Sequence, residues 1–273
     1  MTVSDALFRS WITALMKIDQ TRVKSPAARE MKFCHSEEKQ KAMKTLGLIG
    51  GMSWESTVPY YAIINEQVRD ALGGLHSAKI LLYSVDFAEI EKMMTAGDWN
   101  GCTELLISAA SGLEQAGAGL ILICTNTLHK VYDAVQEKLH VPLLHIADAA
   151  ADALLRDNVK KAALLGTRYT VKEAFYRDRL EEQGLTVLIP DEQDINAVDR
   201  IIFDELCEGK MLDASRDELL RVIGKMKARG AEAVILGCTE LGLMVTDADS
   251  PLSVYDTTVI HAKRAARLAL QEE

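Results

Sequence analysis

The sequence predicts an α/β protein of two pseudo-symmetric domains, each a parallel sheet flanked by helices, with a cleft between them. Three observations point there. Short apolar runs alternate with longer helical patterns; the runs are too continuous in Leu, Ile and Val for a half-exposed antiparallel sheet; and the second half of the chain repeats the first.

The expected strands are 45–49, 79–85 and 119–123 in the first half, and 161–165, 185–189 and 233–236 in the second. Residues 1–43 differ from the rest of the chain. Leu7, Trp11 and Leu15 recur at helical spacing and a polar stretch comes next, which reads as an N-terminal helix plus tether with no catalytic role. The first domain is expected over 44–145, completed by 255–273, and the second over 146–254.

The repeat locates the cleft. Thr45-Leu-Gly-Leu-Ile-Gly-Gly51 lies on Ala162-Ala-Leu-Leu-Gly-Thr167 with Gly50 on Gly166, and the segment from Gly117 to Thr125 lies on that from Gly230 to Cys238. Each half therefore has an opening strand ending in a small-residue turn, and a later strand ending in a polar cluster. The carboxyl ends of parallel strands are where open α/β sheets hold ligands. Thr125-Asn126-Thr127 and Cys238-Thr239-Glu240 would then approach one ligand from opposite sides. A second register, laying Cys124-Thr125 on Cys238-Thr239, gives two identities but breaks the match of Gly117-Ala118 to Gly230-Ala231. A one-residue slip also turns a side chain to the other face of its strand, so the repeat favours Thr125 as the counterpart of Cys238.

Composition removes several classes of function. The 273 residues carry 31 Lys and Arg against 40 Asp and Glu, a net charge of −9, which offers no basic footprint for nucleic acid. No apolar stretch reaches the length of a membrane span, and Asp5, Arg9, Lys17 and Asp19 interrupt any signal-peptide core, so a cytoplasmic location is expected. Five cysteines at wide spacings give neither a C-x-x-C pair nor a metal-ligand cluster, and no metal is expected. There is no G-x-G-x-x-G and no G-x-x-x-x-G-K-[ST] to cradle a nucleotide.

A lone cysteine is more often a buried structural thiol than a reactive one, and Cys34, Cys102 and Cys207 are read so, Cys207 on an apparent helix with Ile201, Ile202, Phe203 and Leu206. Cys238 differs because it ends an apolar strand inside a polar triplet. A helix starting there would favour its thiolate.

Gly50-Gly51-Met52-Ser53-Trp54-Glu55-Ser56-Thr57, followed by Tyr60-Tyr61 and Asn65, resembles the opening signature of the aspartate/glutamate racemase family. Thr125-Asn126-Thr127-Leu128-His129 corresponds to that family's first catalytic motif, Cys-Asn-Thr-x-His, with Thr in place of Cys. Gly237-Cys238-Thr239-Glu240 matches its second motif intact, and Leu164 to Thr167 with Thr170 and Tyr176 extends the likeness from Lys44 to the C-terminus.

The resemblance implies a cofactor-independent amino-acid racemase acting on aspartate or glutamate, with a small amino acid as its partner, neither nucleic acid nor membrane, and a homodimer as an open option. It assigns catalysis to Thr125 and Cys238, and substrate contact to Met52, Asn126, Thr127, Thr167 and Thr239. Inverting a stereocentre through a planar carbanion needs acid/base groups on both faces, which two related domains supply. A threonine hydroxyl is a far poorer base than a thiolate, so the replacement at 125 implies a preference for the L-enantiomer. His129 is a candidate to orient the first motif, Glu240 a candidate helix cap, and Arg168 a candidate for a distal carboxylate. Two rival readings stand: a single-cysteine decarboxylase or cis-trans isomerase of a dicarboxylate, and a non-catalytic binding protein.

Overall fold

The computed structural model describes residues 43–271; the expected N-terminal helix and tether, apart from Met43, and Cys34 lie outside the described residues. Two four-stranded parallel sheets succeed one another along the chain. The first contains β1 (Leu46–Gly50), β2 (Ile80–Ser84), β3 (Leu120–Ile123) and β4 (Leu143–Leu144) in the order β2-β1-β3-β4. The second contains β5 (Lys161–Gly166), β6 (Thr186–Leu188), β7 (Ala233–Gly237) and β8 (Ser253–Asp256) in the matching order β6-β5-β7-β8.

Six of these strands fall on the six apolar runs, with no end shifted by more than one residue. β4 and β8 were not expected from sequence. β4 is two residues long, and β8 reads Ser-Val-Tyr-Asp, too polar to stand out as an apolar run.

Both sheets are covered on both faces, the reason their central strands are apolar throughout. In the first sheet, Leu46, Leu48, Leu120 and Leu122 pack under α1 (Trp54–Leu72) and α10 (Thr257–Ala269), while Ile49, Ile121 and Ile123 pack under α2 (Phe87–Ala96) and α3 (Trp99–Gln115). In the second, Ala162, Leu164, Ala233 and Ile235 meet α5 (Ile146–Arg156) and α7 (Ala174–Glu182). On its other face Ala163, Leu165, Val234 and Leu236 meet α8 (Glu192–Asp204) and α9 (Asp213–Ala228). Two short helices remain, α4 (Tyr132–Gln136) and α6 (Arg168–Lys172).

The C-terminal helix ties the halves together. β8 pairs with β7, and then α10 lays Ala262, Ala265, Ala266 and Ala269 on the first sheet, where small side chains let it approach α1 closely. Lys44 N–H donates to Ala269 O at 2.9 Å, fixing the start of β1 to the end of that helix. Among the described residues no helix is long and apolar enough to cross a membrane.

Candidate active site

The carboxyl ends of β1, β3, β5 and β7 carry the candidate residues. After β1 the chain turns sharply at Gly51, whose φ is +91° and where an added Cβ would sit 2.3 Å from Val85 O; only glycine fits. Thr57 Oγ1 accepts from Gly51 N–H at 2.9 Å, and Ser56 and Thr57 hydroxyls both donate to Ser53 O at 3.0 Å, which fixes the Met52-Ser53 turn. Met52 is buried in the cluster under α2 and α3.

Strand register defines which residues correspond between the halves. Ile49 pairs with Ile123 in the first sheet and Leu165 with Leu236 in the second; two residues beyond each partner stand Thr125 and Cys238. Side-chain direction agrees. Ile121 and Ile123 face the helix pair α2/α3, and Val234, Leu236 and Cys238 face the corresponding pair α8/α9. Cys124 faces the other way, fully buried with Leu120 and Leu122 against α1 and α10. Burial pushes its thiol pKa up.

The first polar cluster is held from behind by a histidine. His129, in the 3₁₀ turn Thr127–Val131, has Nδ1 2.8 Å from Thr125 O, while Ile146 N–H donates to its Nε2 at 3.2 Å. Nε2 is an acceptor there, so Nδ1 carries the proton and donates to the Thr125 carbonyl. Burial, opposed by the hydrogen bonds, lowers the His129 pKa to about 4, so the ring is neutral. His145 and His261 surround it at ring-centroid distances of 4.6 and 6.0 Å. His261 Nε2 lies 3.1 Å from Leu144 O and its Nδ1 2.9 Å from Tyr60 Oη, so the tyrosine donates to Nδ1. The first motif signals His129; no pattern in the sequence marks His145 or His261.

The halves meet at the polar clusters. Thr127 and Thr167 hydroxyls lie 3.1 Å apart; Asn126 Nδ2 donates to Thr257 Oγ1 at 3.1 Å, and that hydroxyl donates to Leu236 O at 2.7 Å. Thr167 also caps α6, accepting from Thr170 N–H at 3.3 Å. Asn126 Oδ1 is buried with no protein partner, which leaves its acceptor capacity unused. All seven candidate residues are buried; Thr125 is 9% and Cys238 7% exposed.

At Cys238 two expectations are corrected. No α-helix starts there: Cys238-Thr239-Glu240 leads into a 3₁₀ turn of three residues, Leu241–Leu243. The thiol is consequently not acidified by a helix terminus. Burial and the neighbouring Glu240 push its pKa well above the usual thiol value. Glu240 is not a backbone cap either. Its Oε2 accepts from Cys238 Sγ at 2.9 Å and Thr239 Oγ1 at 2.8 Å, and its Oε1 accepts from Ser53 Oγ, of the other half, at 2.9 Å. Ser53 lay in the opening signature without a role assigned to it. Cys207 lies just past α8, in a 3₁₀ turn rather than on the helix, because that helix ends at Asp204.

Arg168 lies at the rim, its side chain 51% exposed and its Nη2 2.9 Å from Asn196 Oδ1. With Met94, Tyr169, Asp199 and Phe203 it lines a cavity of about 280 Å³ between α2 and α6/α8. Nearby, Lys130 stands 3.8 Å over the Trp99 ring and 2.6 Å from Glu173, and Trp99 meets Tyr169 edge-on, bridging the two halves.

Comparison with known proteins agrees with this architecture. The chain is 54% identical to a structure described as a candidate Asp/Glu racemase from Yersinia pestis, which covers 84% of this chain and all of that one with a TM-score of 0.79. A structure of an aspartate racemase homologue from Pyrococcus horikoshii is 38% identical over 83% of this chain and 99% of its own, with a TM-score of 0.73. The broad specificity amino-acid racemase RacX of Bacillus subtilis is 24% identical over 80% of this chain and 95% of its own length. The model of the Asp/Glu/hydantoin racemase family matches residues 49–265, and the chain belongs to that family.

Proposed function

We propose that the protein racemises an acidic amino acid, aspartate or glutamate, without a cofactor, through Cys238 on one face of the substrate and Thr125 on the other. The observation that carries the reading is the equivalence of these two residues at the ends of β3 and β7. RacX, named as a broad-specificity racemase, supports the reaction class; the substrate class rests on the Asp/Glu racemase relatives.

The geometry suits a two-face proton exchange. Cys238, after its own proton has left to solvent, takes the Cα proton as a thiolate, and the planar carbanion takes a proton on its other face from the Thr125 hydroxyl or a water that it holds, which is reprotonated from solvent. Asn126 Oδ1 and the hydroxyls of Thr127, Thr167 and Thr239 bind the ammonium and α-carboxylate, with the backbone N–H of Met52. Burial of the whole group excludes water from the carbanion, and the hydrogen bonds between the halves must part for substrate to enter. In related two-cysteine enzymes the second-domain cysteine faces the Cα proton of the L-enantiomer, so L-substrate is the better one here.

The test is proton exchange in D2O with L- and D-glutamate and L- and D-aspartate. Loss of the Cα–H signal together with appearance of the opposite enantiomer supports the reading, and Cys238→Ser abolishes it. Loss of a carboxylate instead indicates a decarboxylase; no exchange indicates a binding protein.

A further inference from the structure

The cavity beside Arg168 has walls from both halves of the molecule and includes none of the seven candidate residues. On the second-half wall, Asn196 and Asp199 of α8 brace the Arg168 guanidinium: Nη2 lies 2.9 Å from Asn196 Oδ1 and Nε 3.9 Å from Asp199 Oδ2, and Asp199 Oδ1 accepts from Arg168 N–H at 2.7 Å. A guanidinium has more N–H donors than these contacts use. On the first-half wall, Glu91 of α2 pairs with no cation among the described residues, and its Oε1 accepts from the neutral Thr95 Oγ1 at 2.8 Å. Met94, Tyr169 and Phe203 supply apolar surface between the charges. Tyr169 also joins the halves, meeting Trp99 edge-on at 5.5 Å and donating from its hydroxyl to Met94 O at 3.5 Å.

We propose that this cavity is a second ligand site, which takes a free α-amino acid with an apolar side chain of leucine to phenylalanine size. Arg168 receives the carboxylate, Glu91 the ammonium, and Met94, Tyr169 and Phe203 the side chain. The volume of about 280 Å³ holds such a molecule. Aspartate and glutamate suit the cavity less, because their second carboxylate would be stripped of water against the apolar wall. A ligand that touches both walls binds the closed arrangement of the halves better than an open one, and so shifts the population toward closure. Binding here is independent of the racemase reading; its effect on turnover rests on that reading. A closed site holds substrate longer and releases product more slowly, so KM and kcat fall together.

The probe is L-phenylalanine, titrated calorimetrically into the full chain. It is expected to bind with a Kd of about 0.1 to 1 mM, in excess L-glutamate as well as without it. Arg168→Gln and Glu91→Gln should each weaken binding by about tenfold or more, and phenethylamine and 3-phenylpropionate, each lacking one charge, should bind the parent more weakly by a similar factor. L-Phenylalanine should lower both KM and kcat of L-substrate exchange by about two- to fivefold. No saturable binding, displacement by L-glutamate, affinity unchanged in both variants, or a single-charge analogue that binds as well as the amino acid would overturn the proposal. Binding with KM and kcat unchanged would overturn the link to closure. Calorimetry needs no turnover: if the parent exchanges no acidic amino acid while L-phenylalanine binds as stated, the racemase reading fails and the second site stands.

Discussion

Thr127 and Thr167 share a hydrogen bond of 3.1 Å, one hydroxyl from each half of the molecule. The bond joins the two halves at the candidate site, and its two ends are not energetically alike, because Thr167 also caps α6. Thr127→Val removes the link between halves at a cost of about 1 kcal/mol. Thr167→Val loses the link and the cap together, costing roughly 1 kcal/mol more. Urea unfolding of the two variants and their double mutant checks this: the pair should be less than additive, and full additivity would mean that the hydroxyls do not interact.

Cys124 and Thr125 are neighbours in sequence with opposite surroundings. Cys124→Ala leaves a small cavity between the first sheet and α10, expected to cost about 1 to 2 kcal/mol while sparing exchange. Thr125→Ala is expected to leave the urea midpoint nearly unchanged and to slow racemisation. Reversed effects would show that Cys124, not Thr125, reaches the substrate.

The thiol and hydroxyl pair should make the two directions unequal in rate. An equilibrium constant of one still holds, so slow reaction of the D-enantiomer is matched by a carbanion that returns mostly to L or by slow product release. Thr125→Cys supplies a base on the second face and should raise D-substrate turnover by tenfold or more, each factor of ten being about 1.4 kcal/mol of transition-state stabilisation. Initial rates from both enantiomers decide it; equal rates in the parent, or no gain in the variant, would rule out Thr125 as the limiting group.

The buried histidines make stability sensitive to acid. Burial lowers the pKa of His129 to about 4 and of His261 to about 3, and lowers that of His145 as well. Each binds its proton more weakly folded than unfolded. The stability they contribute is complete above about pH 6.5 and is lost as pH falls from there through the folded values. For His129, with its folded pKa of about 4, the loss over that window is roughly 3 kcal/mol. Urea midpoints should fall between pH 7 and pH 5, before most carboxylates titrate, and the slope should lessen in His129→Gln. A flat midpoint across that range would contradict the burial of neutral rings.

The α/β class, six of the eight strands, the repeat and the two motifs are legible in the sequence because they are written in neighbouring residues. Continuous apolar runs such as Leu-Gly-Leu-Ile and Ala-Val-Ile-Leu have no stable place except a sheet covered on both faces. β4 and β8 escaped notice because two residues, or four including Ser and Asp, form strands only where a preformed edge accepts their backbone groups. Packing of distant segments decided that Ser53 reaches Glu240, that Thr127 reaches Thr167, and that three histidines share one pocket, and no local pattern encodes such pairings. It also reversed the expected chemistry of Cys238. Local sequence suggested a helix terminus that would acidify the thiol; the fold supplies a short 3₁₀ turn, a dry environment and a carboxylate at 2.9 Å, and both burial and like charge hold the proton on sulfur.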